Sequence, residues 1–210
     1  MDLFFIVLLV VTSIVGLAFI IERGWALRWR RVIPPLVESA VEACRTENDF
    51  AMLRQICERH PSPLSRLLTA AHDHREWTRE ENIDSLETRA RHEVVQLERG
   101  LVVLEIVVGI APLLGLVGTI YGLIILFGTL GQTGMGDNTR LASGIALALN
   151  ATLLGLLTAI PSLIAWSYYS KKVETLAVEM ESLCDEFLRK YYRSENSFAT
   201  SSISSVETEP

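Results

Sequence analysis

Two stretches of sequence without an acidic or basic side chain decide the fold of this chain. They are IVVGIAPLLGLVGTIYGLIILFGTLGQTGMG, residues 106–136, and LASGIALALNATLLGLLTAIPSLIAWSYYS, residues 141–170. At 31 and 30 residues, each is longer than the roughly 20 residues that cross a bilayer as a helix. A third stretch, residues 3–21, has 19 residues and suffices for one crossing. The sequence therefore predicts an all-α membrane protein with three transmembrane helices.

The ends of these stretches locate the helices. We expect the first transmembrane helix at residues 1–23, the second at 103–128 and the third at 141–169. The glycine-rich segment between the last two predicts a turn over residues 129–140. The first stretch could instead be a cleaved signal peptide, but no basic segment precedes it and no small-x-small cleavage site is evident. We therefore expect a retained helix.

Basic residues orient the spans. Four arginines follow the first span and two lysines follow the third, namely Arg23, Arg28, Arg30, Arg31, Lys171 and Lys172. The turn at 129–140 carries one arginine and one aspartate. The positive-inside tendency then predicts a periplasmic N-terminus and turn, with residues 24–102 and the C-terminus in the cytoplasm. Tryptophan and tyrosine side chains flank the same cytoplasmic ends, as expected at a membrane interface.

Composition excludes several functional classes. The net charge of −6 argues against a nucleic-acid-binding protein, which needs a clustered basic face. The three cysteines, Cys44, Cys57 and Cys184, are odd in number and widely spaced, which argues against a disulfide scaffold and a structural zinc site. The four histidines lack metal-ligand spacing, and no nucleophile elbow, phosphate loop or HExxH motif is present. We expect neither an enzyme nor a bound cofactor.

The cytoplasmic region, residues 24–102, contains repeated helix-start signals. Ser62-Pro63 is typical of an N-cap followed by proline at the first helical position, and Asn48 or Asp49 is expected to cap another helix. Thr78 and Glu81 form a capping box. No strong helix breaker follows it before the second span, so we expect one helix that runs from the cytoplasm into the membrane.

Two apolar stripes continue from the membrane helices into the cytoplasm. The first is Ile83, Leu86, Ala90, Val94, Leu97 and Leu101, and the second is Val173, Leu176, Met180, Leu183 and Phe187. Their three- and four-residue steps predict helices whose apolar faces pack together, most simply against each other. The second stripe predicts a cytoplasmic helix at 170–193, and the Ser-, Thr- and Glu-rich residues 194–210 predict a disordered tail.

Small residues recur along the second and third spans. The second span has Ala111, Gly115, Gly118 and Gly122, and the third has Gly144, Ala148, Ala151 and Gly155. In lipid, helices associate through close packing, which small side chains permit. We therefore expect the two spans to pack tightly, with each other or with copies of themselves.

Polar groups lie beside these small residues. Thr119 and Thr152 fall at similar depth if the two spans are antiparallel, where each hydroxyl either bonds its own backbone or faces the other helix. Asn150 favours an interhelical hydrogen bond over an ion site. Pro112 and Pro161 each lack a backbone N–H and therefore leave a backbone carbonyl one turn earlier without its helical partner. Each resulting kink either has a structural role or lines a cavity. No acidic or basic residue lies deep in any span, so a proton relay would need an acid from another polypeptide.

Two segments resemble a known family. Residues 111–122, APLLGLVGTIYG, resemble the motif APLLGLLGTVxG of the ExbB/TolQ/MotA proton-channel family. Residues 144–161, GIALALNATLLGLLTAIP, are similar to its third-helix motif GIxxALxxTxxGLxxAIP. Order, spacing and three-span topology agree over nearly the whole chain except the tail, so the chain resembles an ExbB/TolQ-like stator subunit of the bacterial inner membrane.

The resemblance implies a homopentamer whose central pore encloses two copies of a single-span ExbD/TolR-like partner. The partner would supply a membrane aspartate that takes up and releases the proton. Thr119 and Thr152 match the family's pore threonines, which implies that they line the ion pathway and hydrogen-bond that aspartate. Proton flow would turn the ring relative to the partner and transmit work to the cell envelope. The family implies no cofactor other than the transported ion.

One position departs from the family pattern. Many ExbB and TolQ members carry a glutamate where this chain has Leu147, which weakens assignment to the TonB- or Tol-energising branches. An alternative is therefore a non-conducting membrane scaffold or sensor of the same fold. Ala151 beside Thr152 leaves a single hydroxyl at that level, which favours protons over sodium and leaves sodium open.

Overall fold

The computed structural model describes residues 3–133 and 138–206, and every regular element in them is a helix. The helices are α1 Leu3–Ala26, α2 Trp29–Val32, α3 Pro35–Ala43, α4 Glu47–Arg59, α5 Pro63–Asp73, α6 Arg79–Glu98, α7 Leu101–Thr133 and α8 Asn138–Val206. Helices α1, α7 and the first part of α8 are long and apolar enough to cross a membrane. The predicted all-α fold with three candidate spans is confirmed.

The chain divides into two compact units. Met1–Trp25 and Arg99–Ser170 form one, here called the membrane unit, and Ala26–Glu98 with Lys171–Pro210 form the other, here called the head unit. The membrane unit contains the three candidate spans. The head unit contains the short helices α2 to α6 and the second part of α8.

Helices α7 and α8 are longer than the sequence suggests. Helix α7 extends to Thr133 and α8 begins at Asn138, so only residues 134–137 of the predicted turn at 129–140 fall between them, and these lie outside the described residues. Helix α8 continues to Val206, where composition predicts a disordered tail from residue 194; residues 207–210 are not described. Extending an existing helix adds one hydrogen bond per ordered residue, so glycine- or serine-rich composition alone does not end it.

The helix that we expected to run from Thr78 into the second span is interrupted. Helix α6 ends at Glu98 and α7 begins at Leu101, with Arg99 and Gly100 between them in a turn. Gly100 is buried, and a Cβ atom there would collide with the guanidinium group of Arg23. The expectation of one continuous helix was wrong, because glycine both weakens a helix and admits the arginine here.

The helix starts of the head unit follow from local side-chain caps. The Ser62 hydroxyl accepts a hydrogen bond from the Ser65 N–H at 3.1 Å, and the Thr78 N–H donates to Glu81 at 3.1 Å, as predicted. Helix α4 is capped by Thr46, with Asp49 at the third position completing a capping box. Asp49 therefore takes part, but Thr46 is the cap that the sequence analysis missed.

Large apolar side chains form the core of the head unit. Phe50 and Phe187 are 2% and 1% exposed and stack edge to face with ring centres 5.6 Å apart. Leu176, Met180 and Leu183 of α8 are buried in the same cluster, and Leu86 of α6 joins it. The two predicted apolar stripes thus share one core.

The two apolar stripes are not in contact along their whole length. A cleft of about 650 Å³ lies between α6 and α8, bordered by Ile83, Ala90 and Val94 on one side and by Ala177 and Cys184 on the other. The α8 stripe shares its core with the short helices as well, and Lys190 of α8 donates hydrogen bonds to the Val41 and Glu42 carbonyls.

Candidate functional site

Glycine brings the backbones of α7 and α8 into direct contact. A Cβ atom on Gly155 would lie 2.6 Å from the Ala111 carbonyl oxygen and 3.1 Å from the Gly115 Cα. One on Gly115 would lie 2.8 Å from the Ala151 carbonyl oxygen. No larger side chain fits at either position without moving a helix. The predicted tight packing of the two spans is therefore made within a single chain.

The rest of the small-residue pattern extends this contact along both helices. Cβ atoms on Gly118 and Gly122 would lie 3.0 and 3.1 Å from the Cβ atoms of Ala151 and Ala148, and Ala111, Ala148 and Ala151 are buried. At the far end a Cβ on Gly144 would reach the Leu126 side chain at 2.5 Å. The close approach is what gives hydroxyl groups on one helix access to carbonyl groups on the other.

Thr119 and Thr152 form a hydrogen-bonded pair at the centre of this contact. The Thr119 hydroxyl donates to the Gly115 carbonyl of its own helix and lies equally close, at 3.1 Å, to the Ala148 carbonyl of α8. The Thr152 hydroxyl donates to the Gly115 carbonyl of α7 at 3.2 Å. The two hydroxyl oxygens also lie within hydrogen-bond distance of each other, and either can be the donor. Each threonine thus bonds the backbone of the opposite helix.

The threonine pair has fewer hydroxyl protons than oxygen atoms that can accept them. Two hydroxyls offer two donors, whereas three oxygen acceptors surround Thr119 alone. The Thr119 hydroxyl proton can therefore be donated to any one of these three oxygens by rotation of the hydroxyl group. The local back-bond that sequence alone allowed is present for Thr119, but the bond of Thr152 is interhelical.

The two threonines differ in access. Thr119 is 9% exposed, whereas Thr152 is half-buried. An incoming polar group can therefore reach the pair from the Thr152 side. Of the two prolines, Pro112 is half-buried and Pro161 is exposed. Both prolines lie inside continuous helices.

Two further positions singled out by the sequence face away from this contact. Leu147 is 50% exposed, so the position at which this sequence departs from the motif that it resembles lies on the outer surface of the membrane unit. Asn150 is also exposed and makes no hydrogen bond within the described part of the chain. The interhelical hydrogen bond predicted for Asn150 is not formed inside a single chain.

Helix α1 is fixed by contacts that the sequence analysis missed. A Cβ on Gly16 would lie 3.1 Å from the Ser162 hydroxyl and 3.3 Å from the Val107 side chain. The Tyr169 hydroxyl donates to the Ile20 carbonyl at 2.9 Å. The lone glycine of the first span was the available signal. Most other apolar side chains of α1 are exposed, as expected of a helix that faces lipid.

Comparison with known proteins identifies the family to which the chain belongs. The family model described as the MotA/TolQ/ExbB proton channel family matches residues 59–182, more than half of the chain. Among curated relatives, the putative biopolymer transport protein ExbB-like 1 of Synechocystis is 35% identical over 170 residues, which is 75% of this chain and 63% of that protein.

Two other relatives carry related names. The biopolymer transport protein ExbB of Aquifex aeolicus is 32% identical over 108 residues, which is 51% of this chain and 72% of that protein. The Tol-Pal system protein TolQ of Haemophilus influenzae is 33% identical over 101 residues, 48% of this chain and 44% of that protein. The region that matches the family model includes both Thr119 and Thr152, and the chain belongs to the MotA/TolQ/ExbB proton channel family.

Proposed function

We propose that this chain is the channel-forming subunit of a proton-driven stator in the bacterial inner membrane. The observation that carries the proposal is the hydrogen-bonded pair of Thr119 and Thr152, held between two glycine-lined helices. Such a pair offers movable hydroxyl protons in a setting where few other polar groups compete for them. Family membership supports a role in energy transduction across the envelope.

The proton acceptor comes from a partner. Residues 106–136 and 141–170 contain no acidic, basic or histidine side chain, and hydroxyl groups alone do not ionise near neutral pH. A single-span partner of the ExbD/TolR type would supply a membrane aspartate. The half-buried hydroxyl of Thr152 would donate to that carboxylate when it is charged and accept from it when it is protonated.

The assembly is a ring of copies, five by analogy with the family, around two partner helices. The N-terminus and the turn between α7 and α8 lie in the periplasm, and the head unit lies in the cytoplasm, as the distribution of arginine and lysine favours. Protons are the transported ion, and no cofactor takes part. Proton transfer drives rotation of the ring relative to the partner, and the partner transmits the work to the envelope.

The test is proton flux through the complex reconstituted with its partner in vesicles that contain a pH-sensitive dye. We expect Thr152→Val to reduce the flux to background, because valine keeps the shape of threonine and lacks the hydroxyl. The matched control is Thr158→Val on the same helix, since Thr158 is half-buried like Thr152 but its hydroxyl donates to its own helix, at the Leu154 carbonyl. Unchanged flux in Thr152→Val would remove both threonines from the ion pathway.

A second candidate is a scaffold or sensor that keeps the fold and conducts nothing. It is favoured by one observation, the apolar Leu147 at a position where many relatives have glutamate. Under this alternative the wild-type complex assembles with its partner but shows no flux above that of empty vesicles. Proton flux and assembly with the partner would then both be measured in Leu147→Glu. The comparison with the wild type would show which of the two depends on the missing acid.

A further inference from the structure

The cleft between α6 and α8 in the head unit, here called the α6–α8 cleft, is an apolar groove that the described part of the chain leaves open. It has a volume of about 650 Å³, and its floor is formed by Leu67, Cys184 and Leu188, each no more than 4% exposed. Ala90 on α6 and Ala177 on α8 line it as well, and their small side chains leave space that a leucine would fill. An apolar groove on a protein surface typically marks a site of interaction.

The length of the α6–α8 cleft fits a short helix. Its lining residues run from Ile83 to Val95 along α6 and from Ala177 to Leu188 along α8. At about 1.5 Å per residue, both edges are about 17–18 Å long, which corresponds to roughly three turns of helix. A groove with apolar walls between two helices accepts the apolar face of an amphipathic helix. We therefore expect a helical occupant of about 12 residues.

Acidic side chains dominate the rim of the α6–α8 cleft. Glu87 and Arg91 of α6 form an ion pair with each other, so their charges balance. Glu181 and Asp185 lie one turn apart on the α8 side of the rim, and Arg79 approaches Asp185 only to 3.7 Å. The α8 side is therefore negatively charged, and it favours an occupant that carries lysine or arginine beside its apolar face.

Charge distinguishes the possible occupants of the cleft. Residues 194–210 of this chain contain three glutamates and no lysine or arginine, and the head unit of another copy carries 21 acidic against 16 basic residues. Either would bring like charges to the acidic rim. The single-span partner differs, because the residues next to the cytoplasmic end of a membrane span are rich in lysine and arginine. Of the three, only the partner's cytoplasmic segment is expected to be basic.

We propose that the α6–α8 cleft binds the cytoplasmic segment of the single-span partner as a basic amphipathic helix. This rests on the proposed function, which supplies the partner and places the head unit in the cytoplasm. The apolar face of the segment packs against Ala90 and Ala177, and its lysine or arginine side chains pair with Glu181 and Asp185. This contact is separate from the one at the threonine pair in the membrane unit, and two linked contacts bind more tightly than either alone.

The first test is photo-cross-linking of the full-length chain in membranes, with its partner co-expressed. The photoreactive residue benzoylphenylalanine replaces Arg91 on the rim of the cleft, which removes no carboxylate. The matched control carries it in place of Arg89, an exposed arginine of the same helix that lies about 200° away around the helix axis. Irradiation should join one chain to one partner from position 91 and should give several-fold less of this product from position 89. Deleting the partner's cytoplasmic segment should abolish the product.

Three other results would contradict this docking in distinguishable ways. Cross-linking of two copies of this chain from position 91 would show that a neighbouring copy fills the cleft. A partner that co-purifies with the chain but gives no product at position 91 would refute the docking and leave the proposed function intact. If the partner does not co-purify at all, the proposed function fails and this contact fails with it.

The second test measures how the full-length chain in detergent binds a fluorescent peptide with the sequence of the partner's cytoplasmic segment. Ala177→Leu should lower the affinity at least about tenfold, because the larger side chain occupies the cleft. Val178→Leu is the control, since Val178 is 61% exposed and lies outside the cleft lining. Glu181→Gln should lower the affinity about two- to fivefold, as expected for one exposed ion pair, whereas Glu179→Gln, outside the lining, should leave it unchanged. Equal affinities of Ala177→Leu and the wild type would refute the cleft as the binding site.

Discussion

In the membrane unit the helices meet through glycine and alanine, whereas in the head unit they meet through phenylalanine, leucine and methionine. A Cβ atom on Gly155 would lie only 3.1 Å from the Gly115 Cα, whereas the ring centres of Phe50 and Phe187 are 5.6 Å apart. Water drives large apolar side chains together in the head unit. Lipid offers no such drive, so the membrane unit depends on close backbone approach and hydroxyl bonds.

The largest effect that tests this comparison is expected in the head unit. Phe187→Ala should lower the free energy of unfolding by about 3–5 kcal/mol, because it removes a buried ring and leaves a cavity. The control is Val178→Ala on the same helix, whose side chain is 61% exposed and whose loss should cost less than about 0.5 kcal/mol. Denaturant unfolding of the full-length protein in detergent, followed by circular dichroism, measures both. Equal losses would mean that burial does not govern the head unit.

The buried thiols of the head unit should make its stability depend on pH, which tests burial in this unit separately. Burial raises the pKa of Cys57 from 9.0 to about 11. Between these values the folded protein keeps a proton that the unfolded chain releases, so stability is full below pH 9 and falls as the pH rises towards 11. We expect the stability advantage of the wild type over Cys57→Ala to shrink by about 2 kcal/mol across this window.

The measurement is denaturant unfolding of both proteins at pH 8 and pH 11. Taking the difference between them cancels the titration of lysine and tyrosine side chains, which both proteins share. A wild-type advantage that stays constant with pH would show that water reaches this thiol in the folded head unit.

A smaller effect is expected in the membrane unit, from a single methyl group. Gly155→Ala would place a Cβ 2.6 Å from the Ala111 carbonyl oxygen, which should cost about 1–3 kcal/mol and loosen the threonine pair. Gly128→Ala is the matched control, since a Cβ there meets nothing within 4 Å. Thermal unfolding in detergent should show a lower midpoint for the first variant alone. If both variants unfold at the wild-type temperature, backbone contact does not hold these helices together.

Much of the fold could be predicted because its signals are local. Charge-free length located the three spans, and side-chain caps such as Ser62 and the Thr78–Glu81 pair located helix starts. The break at Arg99 and Gly100 was missed because its cause lies far away in the chain, where Arg23 occupies the space beside the glycine. Thr46 was missed as a cap because several neighbouring residues could serve equally well by type.

The residues of the candidate site could be predicted from the sequence, but their hydrogen-bond partners could not. Spacing alone placed Thr119 and Thr152 beside small residues on two spans. It could not choose between local and interhelical hydrogen bonds, since both satisfy a hydroxyl equally. It also could not show that Asn150 points outward, because the rotation of a helix about its axis depends on what packs around it.

The sequence by itself determined that three segments of this chain are long and apolar enough to cross a membrane and that glycine and alanine line two of them. These properties follow from hydropathy and from helical periodicity, which neighbouring residues set. Only the tertiary structure decided that the two small-residue faces meet within one chain, that each threonine bonds the opposite backbone and that Asn150 is left uncovered. Those features depend on distances between residues about 30 positions apart, and such distances are fixed only when the helices pack.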